Sequence, residues 1–97
     1  MIVSISPEAE RELIDGALFY AEQAKTELGL AFIVEFERAL NALRENPNLG
    51  APWRATTRRF PLRRFPYSVL YVIKGSELQV IALAHQRRLP GYWANRR

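Results

Sequence analysis

The apolar residues of this chain repeat with one period before a proline-rich stretch and with another after it, and that switch narrows the folds open to it. Leu13, Ala17, Tyr20 and Ala24 recur at helical spacing, with Ile14, Leu18 and Ala21 widening the stripe. Gly29 marks a break, after which Phe32, Phe36, Ala39, Leu40 and Leu43 form a second stripe. Glu37, Asn41, Arg44 and Glu45 fall on the wet side of that second helix. Between Asn46 and Thr57 the turn formers Pro47, Asn48, Gly50 and Pro52 predict a loop. Beyond it apolar residues alternate. Tyr67, Val69, Tyr71 and Ile73 share one face of a strand, and Ser68, Leu70 and Val72 the other. In the next strand Val80, Ala82 and Ala84 oppose Ile81, Leu83 and His85.

The punctuation fits. Met1 to Ile5 reads as a short strand, and Ser6-Pro7-Glu8 opens the first helix with a capping hydroxyl, a proline at the first position and acids in the first turn. Asn46-Pro47 closes the second helix, because proline excludes its predecessor from helical backbone. Arg58 to Leu62 reads as a strand that Pro61 confines to an edge or bulge. Lys74-Gly75-Ser76-Glu77 has the length and glycine of a hairpin turn. The expected fold is therefore α+β, a single domain over residues 1–97. An N-terminal strand and an antiparallel helical hairpin precede a three-stranded C-terminal meander, the hairpin lying on one face of a twisted antiparallel sheet. Both faces of that sheet are largely apolar, and two helices cover only one. The C-terminal segment, another copy or a partner must shield the other.

Charge is sorted along the chain as sharply as period. Residues 1–50 hold nine acids and four bases, and residues 51–97 hold ten bases and one acid, Glu77, so the halves carry −5 and +9. Arg54, Arg58, Arg59, Arg63 and Arg64 crowd one stretch, and Arg87, Arg88, Arg96 and Arg97 follow near the end. Such a field attracts a polyanion or an acidic protein. Arginine in preference to lysine favours planar, two-pronged contacts to phosphate or carboxylate. The absence of cysteine excludes disulfides, thiolate metal sites and a thiol nucleophile. One histidine and no cysteine leave only carboxylates as metal ligands, and those lie on helix surfaces, so neither metal nor cofactor is expected. No glycine-rich phosphate loop follows a strand. The N-terminus lacks the pattern of a signal peptide and no apolar run approaches a membrane span, which makes a cytoplasmic location the expectation.

Several segments, in this order, resemble toxins of the RelE/ParE superfamily from bacterial type II toxin–antitoxin pairs. They are A-L-F-Y (17–20), L-G-L-A-F (28–32), E-F-E-R-A-L (35–40), N-P (46–47), R-R-F-P-L-R-R-F-P-Y-S-V-L-Y (58–71) and A-H-Q-R-R-L-P-G-Y-W (84–93). The resemblance covers nearly the whole chain and lies nearest the ParE-like, plasmid-stabilisation side. It implies a helical hairpin on a twisted antiparallel sheet, and neutralisation by a cognate antitoxin whose tail wraps the toxin, as a hetero-oligomer. ParE-like members poison DNA gyrase, whereas RelE-like members cut mRNA on the ribosome. A third reading is a nontoxic operon co-repressor that only binds its antitoxin.

Metal-free RNA cleavage would need a base, cations for the phosphorane charge and an acid for the leaving oxygen. On this chain those would be His85 with Arg63, Arg64, Arg88 and Tyr92. The lysines that RelE-like enzymes carry on their central strands are missing, and an arginine stays protonated, so the balance favours the gyrase reading. His85 reads equally as a packing residue at a strand end. For binding a target or antitoxin the candidates are Arg54, Arg58, Arg59, Arg63, Arg64, Arg87, Arg88, Tyr92 and Trp93. Tyr92 and Trp93 also read as a plug packed on the sheet. Trp53 is either a lid on the core or an exposed contact. Glu35 and Glu37 read as solvated helix-face charges.

Overall fold

A computed structural model describes residues 1–87, 92, 93 and 96. β1 (Ile2–Ile5) leads into α1 (Pro7–Gln23) and α2 (Thr26–Glu45), and β2 (Ala51–Arg54), β3 (Thr57–Pro61), β4 (Tyr67–Lys74) and β5 (Glu77–His85) follow. The strands form one sheet in the order β1-β5-β4-β3-β2. This is the expected α+β arrangement of an N-terminal strand, two helices and a C-terminal meander. Ser6 caps α1 by accepting the Ala9 N–H at 3.1 Å, with Pro7 in the first turn. The β4–β5 hairpin turns on Gly75, whose φ of 59° is the left-handed backbone that glycine adopts without a Cβ penalty.

Several local expectations are corrected. β1 runs parallel to β5, so the sheet is mixed. Residues 51–54, expected as loop, form an edge strand on β3. All four are exposed, so no alternation marks them in the sequence. Pro61 is accommodated because β2 pairs only with Thr57, Arg58 and Arg59, leaving the proline beyond the outer strand's reach. The helices meet at Ala24-Lys25, and Gly29 lies inside α2. A methyl group there would sit 2.5 Å from the Ala17 carbonyl oxygen, so this glycine serves a close backbone crossing.

A further correction concerns β5. Leu70 pairs with Ala82 but Tyr71 pairs with Val80, which leaves Ile81 as an extra, bulged residue. The bulge shifts the phase, so Leu78, Val80 and Leu83 all join the cluster beneath the helices while Ile81 and Ala82 join the opposite one. Phe32, Phe36, Leu43, Val69 and Tyr71 fill the helix-side core. The apolar stripe of α1 is narrower than its spacing suggests: Ala9, Gly16 and Ala17 are buried, whereas Ile14 and Leu18 are exposed. On the outer face Leu70, Val72, Ile81 and Ala82 are covered by Trp93, only 2% exposed, with Tyr92 packed beside it. The C-terminal segment is thus one shield of the second face.

Candidate functional site

Two assemblies carry the polar chemistry: the arginine-rich end of the sheet, and a carboxylate that fastens the C-terminal segment. Tyr67 pairs with His85 and Pro61 with Ser68, so the turn 62–66 and the end of β5 share one end of the sheet. Arg63, Arg64 and Arg87 are exposed there. Glu35 fixes the turn. Its carboxylate takes both Nε and Nη2 of Arg38 at 2.7 Å and accepts the Arg63 N–H at 2.6 Å. The Arg38 hydrogen bonds hold the Glu35 carboxyl below its usual range; burial opposes them and the Arg63 N–H assists. Glu35 is only 9% exposed, so it is a buried tie between α2 and the turn and not the solvated charge expected. Glu37 is exposed, as expected. Arg64 has φ of 71°, a left-handed conformation that costs a non-glycine residue roughly 1 kcal/mol. Its guanidinium lies 5.4 Å over the Phe65 ring.

The other arginines are dispersed. Arg58 faces the helix side and donates to the Gly50 carbonyl at 2.6 Å, beside the Tyr71 hydroxyl that donates to Pro47 O and accepts the Gly50 N–H. Burial pushes the Tyr71 phenol up. Arg58 therefore ties down the loop after α2. Arg59 faces outward, its guanidinium 5.3 Å over the Trp53 ring, and Trp53 itself is 45% exposed. Trp53 is thus an exposed stacking partner. Arg54 lies at the far end of the sheet, on β2. Arg88 falls outside the described residues.

His85 is half-buried, edge-on to Tyr67 with ring centroids 5.0 Å apart. Its Nδ1 accepts the Arg87 N–H at 3.0 Å, which puts the proton of the neutral ring on Nε2. It lines a cleft of about 210 Å³ with Glu12, Asp15, Phe19, Tyr67 and Tyr92. No arginine among the described residues lines that cleft.

Glu12, a residue the sequence reading passed over, fastens the C-terminal segment. Its Oε1 accepts the Leu83 N–H at 3.0 Å and the Arg96 Nη1 at 2.9 Å, and its Oε2 accepts the Tyr92 hydroxyl at 2.8 Å. Leu83 needs this acceptor because β1 ends its pairing at Val80, leaving the β5 edge open beyond it. Nothing in the local sequence around Glu12 announces partners 71 to 84 residues away. Tyr92 and Trp93 are accordingly tied to the sheet, and Arg96 stacks on Tyr92 at 5.0 Å.

The fold first defines a class: a helical hairpin over a mixed five-stranded sheet, with exposed arginines at one sheet end. A solved chain from "Chromosomal ParDE TA system from P. aeruginosa" shares that fold, with a TM-score of 0.79 and 23% identity. The alignment covers 88% of this chain and 95% of that one. The family model for the ParE toxin of type II toxin–antitoxin systems, parDE, matches residues 3–90, and the chain belongs to that family. Comparison with curated proteins gives no match.

Proposed function

We propose that this ParE-family toxin arrests growth by inhibiting DNA gyrase, and that a cognate antitoxin neutralises it. The observation that carries gyrase inhibition over ribosomal mRNA cleavage is the state of His85. Its Nδ1 accepts the Arg87 N–H, its ring packs edge-on against Tyr67, and no arginine among the described residues lines its cleft to carry phosphorane charge. The cleft beside it presents carboxylates, which repel a phosphate. The Tyr92 hydroxyl, the other proton carrier considered, is committed to Glu12. A toxin that works by holding its target needs only a surface, and Arg63, Arg64 and Arg87 supply exposed guanidinium groups at one sheet end.

Two features support an antitoxin partner. The structurally similar chain comes from a ParDE toxin–antitoxin system. On this chain the helical hairpin leaves Ile14, Leu18, Leu30 and Val34 between 52% and 62% exposed, an apolar stripe that a bound segment would cover.

Pulse labelling after induction of the toxin alone tests the reading. Thymidine incorporation is expected to fall before methionine incorporation, and purified gyrase to lose supercoiling activity. His85→Ala is expected to leave arrest intact. Methionine incorporation failing first, with arrest abolished by His85→Ala, would favour the nuclease. If neither label falls while soluble protein accumulates, the toxin is inactive and only the co-repressor reading stands.

A further inference from the structure

Beside the Glu12 clasp lies a cleft of the same chemistry. Both oxygens of Glu12 are already engaged by Leu83, Arg96 and Tyr92. Asp15, one helical turn further along α1 and exposed, makes no hydrogen bond or ion pair among the described residues. It shares the 210 Å³ cleft with the rings of Phe19, Tyr67, His85 and Tyr92. Phe19 stands 53% exposed at the rim. After burial itself and Tyr20, the charges of Glu12 and Asp15 push the Tyr67 phenol up.

A carboxylate set among aromatic faces is a receptor for a planar cation, which donates charge-assisted hydrogen bonds to the carboxylate and lies against the rings. The chain displays that pairing next door, where the Arg96 guanidinium bonds Glu12 at 2.9 Å and lies 5.0 Å over the Tyr92 ring. We infer that the cleft formed by Asp15, Phe19, Tyr67 and His85 receives an arginine side chain of the antitoxin, an inference whose partner rests on the function proposed above. Charge assigns it to the antitoxin and not to the target. A target engaged through Arg63, Arg64 and Arg87, with DNA at hand, offers negative charge that Asp15 repels. An antitoxin segment of mixed charge satisfies both surfaces, with acids toward the arginines and one arginine toward the cleft.

Titrating the isotope-labelled full chain with N-acetyl-arginine amide tests the cleft by NMR without any antitoxin. Saturable shifts are expected at the Gly16 amide and the ring signals of Phe19, Tyr67 and His85. They should weaken at least tenfold for the neutral isostere N-acetyl-citrulline amide, and likewise in Asp15→Asn. Equal response to citrulline, indifference to Asp15→Asn, or shifts spread over all acidic residues would overturn the site. The second arm measures affinity for the antitoxin encoded beside the toxin. Asp15→Arg, at an exposed position, is expected to weaken the complex more than tenfold without lowering growth arrest. Unchanged affinity overturns the assignment to the antitoxin. If the wild-type chain binds no antitoxin at all, the proposed function fails instead, and the amide titration still decides the cleft.

Discussion

The two faces of the sheet are both apolar, yet they are closed by different physics. Under the helices, Phe32, Phe36, Leu43, Val69, Tyr71, Leu78 and Val80 interlock in a core where aromatic edges meet faces, as Phe32 does with Phe65 at 5.1 Å and with Tyr67 at 4.8 Å. The outer face has a smaller cluster, and a terminal segment lies over it. What fixes that segment is the Glu12 carboxylate and the single large wedge of Trp93. A packed core resists change at every position, whereas this cover depends on a few contacts, with Glu12 central among those of the described residues. Changes in the core and at the clasp should therefore differ in kind: the first lowers stability most, and the second lowers it less but uncovers the outer face.

The sharpest contrast comes from Phe32→Ala. Removing a fully buried ring from the helix-side core is expected to cost about 3–5 kcal/mol, visible as a large fall in the midpoint of thermal unfolding. A loss under 1 kcal/mol would show that the inner face is no tighter than the outer. Next in size is Glu12→Ala, expected to cost about 2 kcal/mol because three donors lose their acceptor. In a Trp53→Phe background the Trp93 emission should shift to the red and acrylamide quenching should rise, while the far-ultraviolet dichroism holds. A Trp93 signal unmoved by this change would show that Glu12 does not hold the cover in place.

Acid separates the two carboxylates. The folded pKa of Glu35 is depressed, chiefly by Arg38, so its contribution is present above the ordinary glutamate value and lost as pH falls through the depressed one. Glu35→Gln should therefore flatten the acid limb of the stability profile; an acid limb identical to wild type would mean that other carboxylates govern it. The smallest effect is Arg64→Gly. Relief of the left-handed strain, partly offset by the greater freedom of glycine in the unfolded chain, should raise stability by less than about 1 kcal/mol while weakening target binding, and a clear loss of stability in denaturant titration would contradict the strain assigned to this turn.

How much of this was legible in the sequence follows from the range of the forces involved. Local chemistry announces the Ser6-Pro7 start of α1, the Asn46-Pro47 stop of α2 and the Gly75 turn, and each stands where its residues point. Alternation reveals β4 because every residue from Ser68 to Val72 is buried on one face or the other. It misleads in β5, where the bulge at Ile81 reverses the phase, and it is silent in β2, whose side chains all face water. The site divides in the same way. The density of arginines is a property of the sequence, but their dispersal between a loop tie, a tryptophan stack and one sheet end is set by strand register. Glu12 was passed over and Glu35 read as solvated because Leu83, Tyr92, Arg96 and the Arg63 N–H lie far along the chain; only the Arg38 partner of Glu35 is near in sequence. Acidic residues on a helix look solvated until the tertiary fold brings those donors to them.

The clasp also orders events in time. Glu12 emerges from the ribosome early and helps form α1, but Tyr92 and Arg96 are made 80 and 84 residues later. The outer face therefore stays open after the helices exist and until Tyr92, Trp93 and Arg96 have been made. In that interval the nascent chain presents Leu70, Val72, Ile81 and Ala82 with their final cover still untranslated. A chain ending before Tyr92 would lack that cover and leave the four apolar residues in water, which favours aggregation.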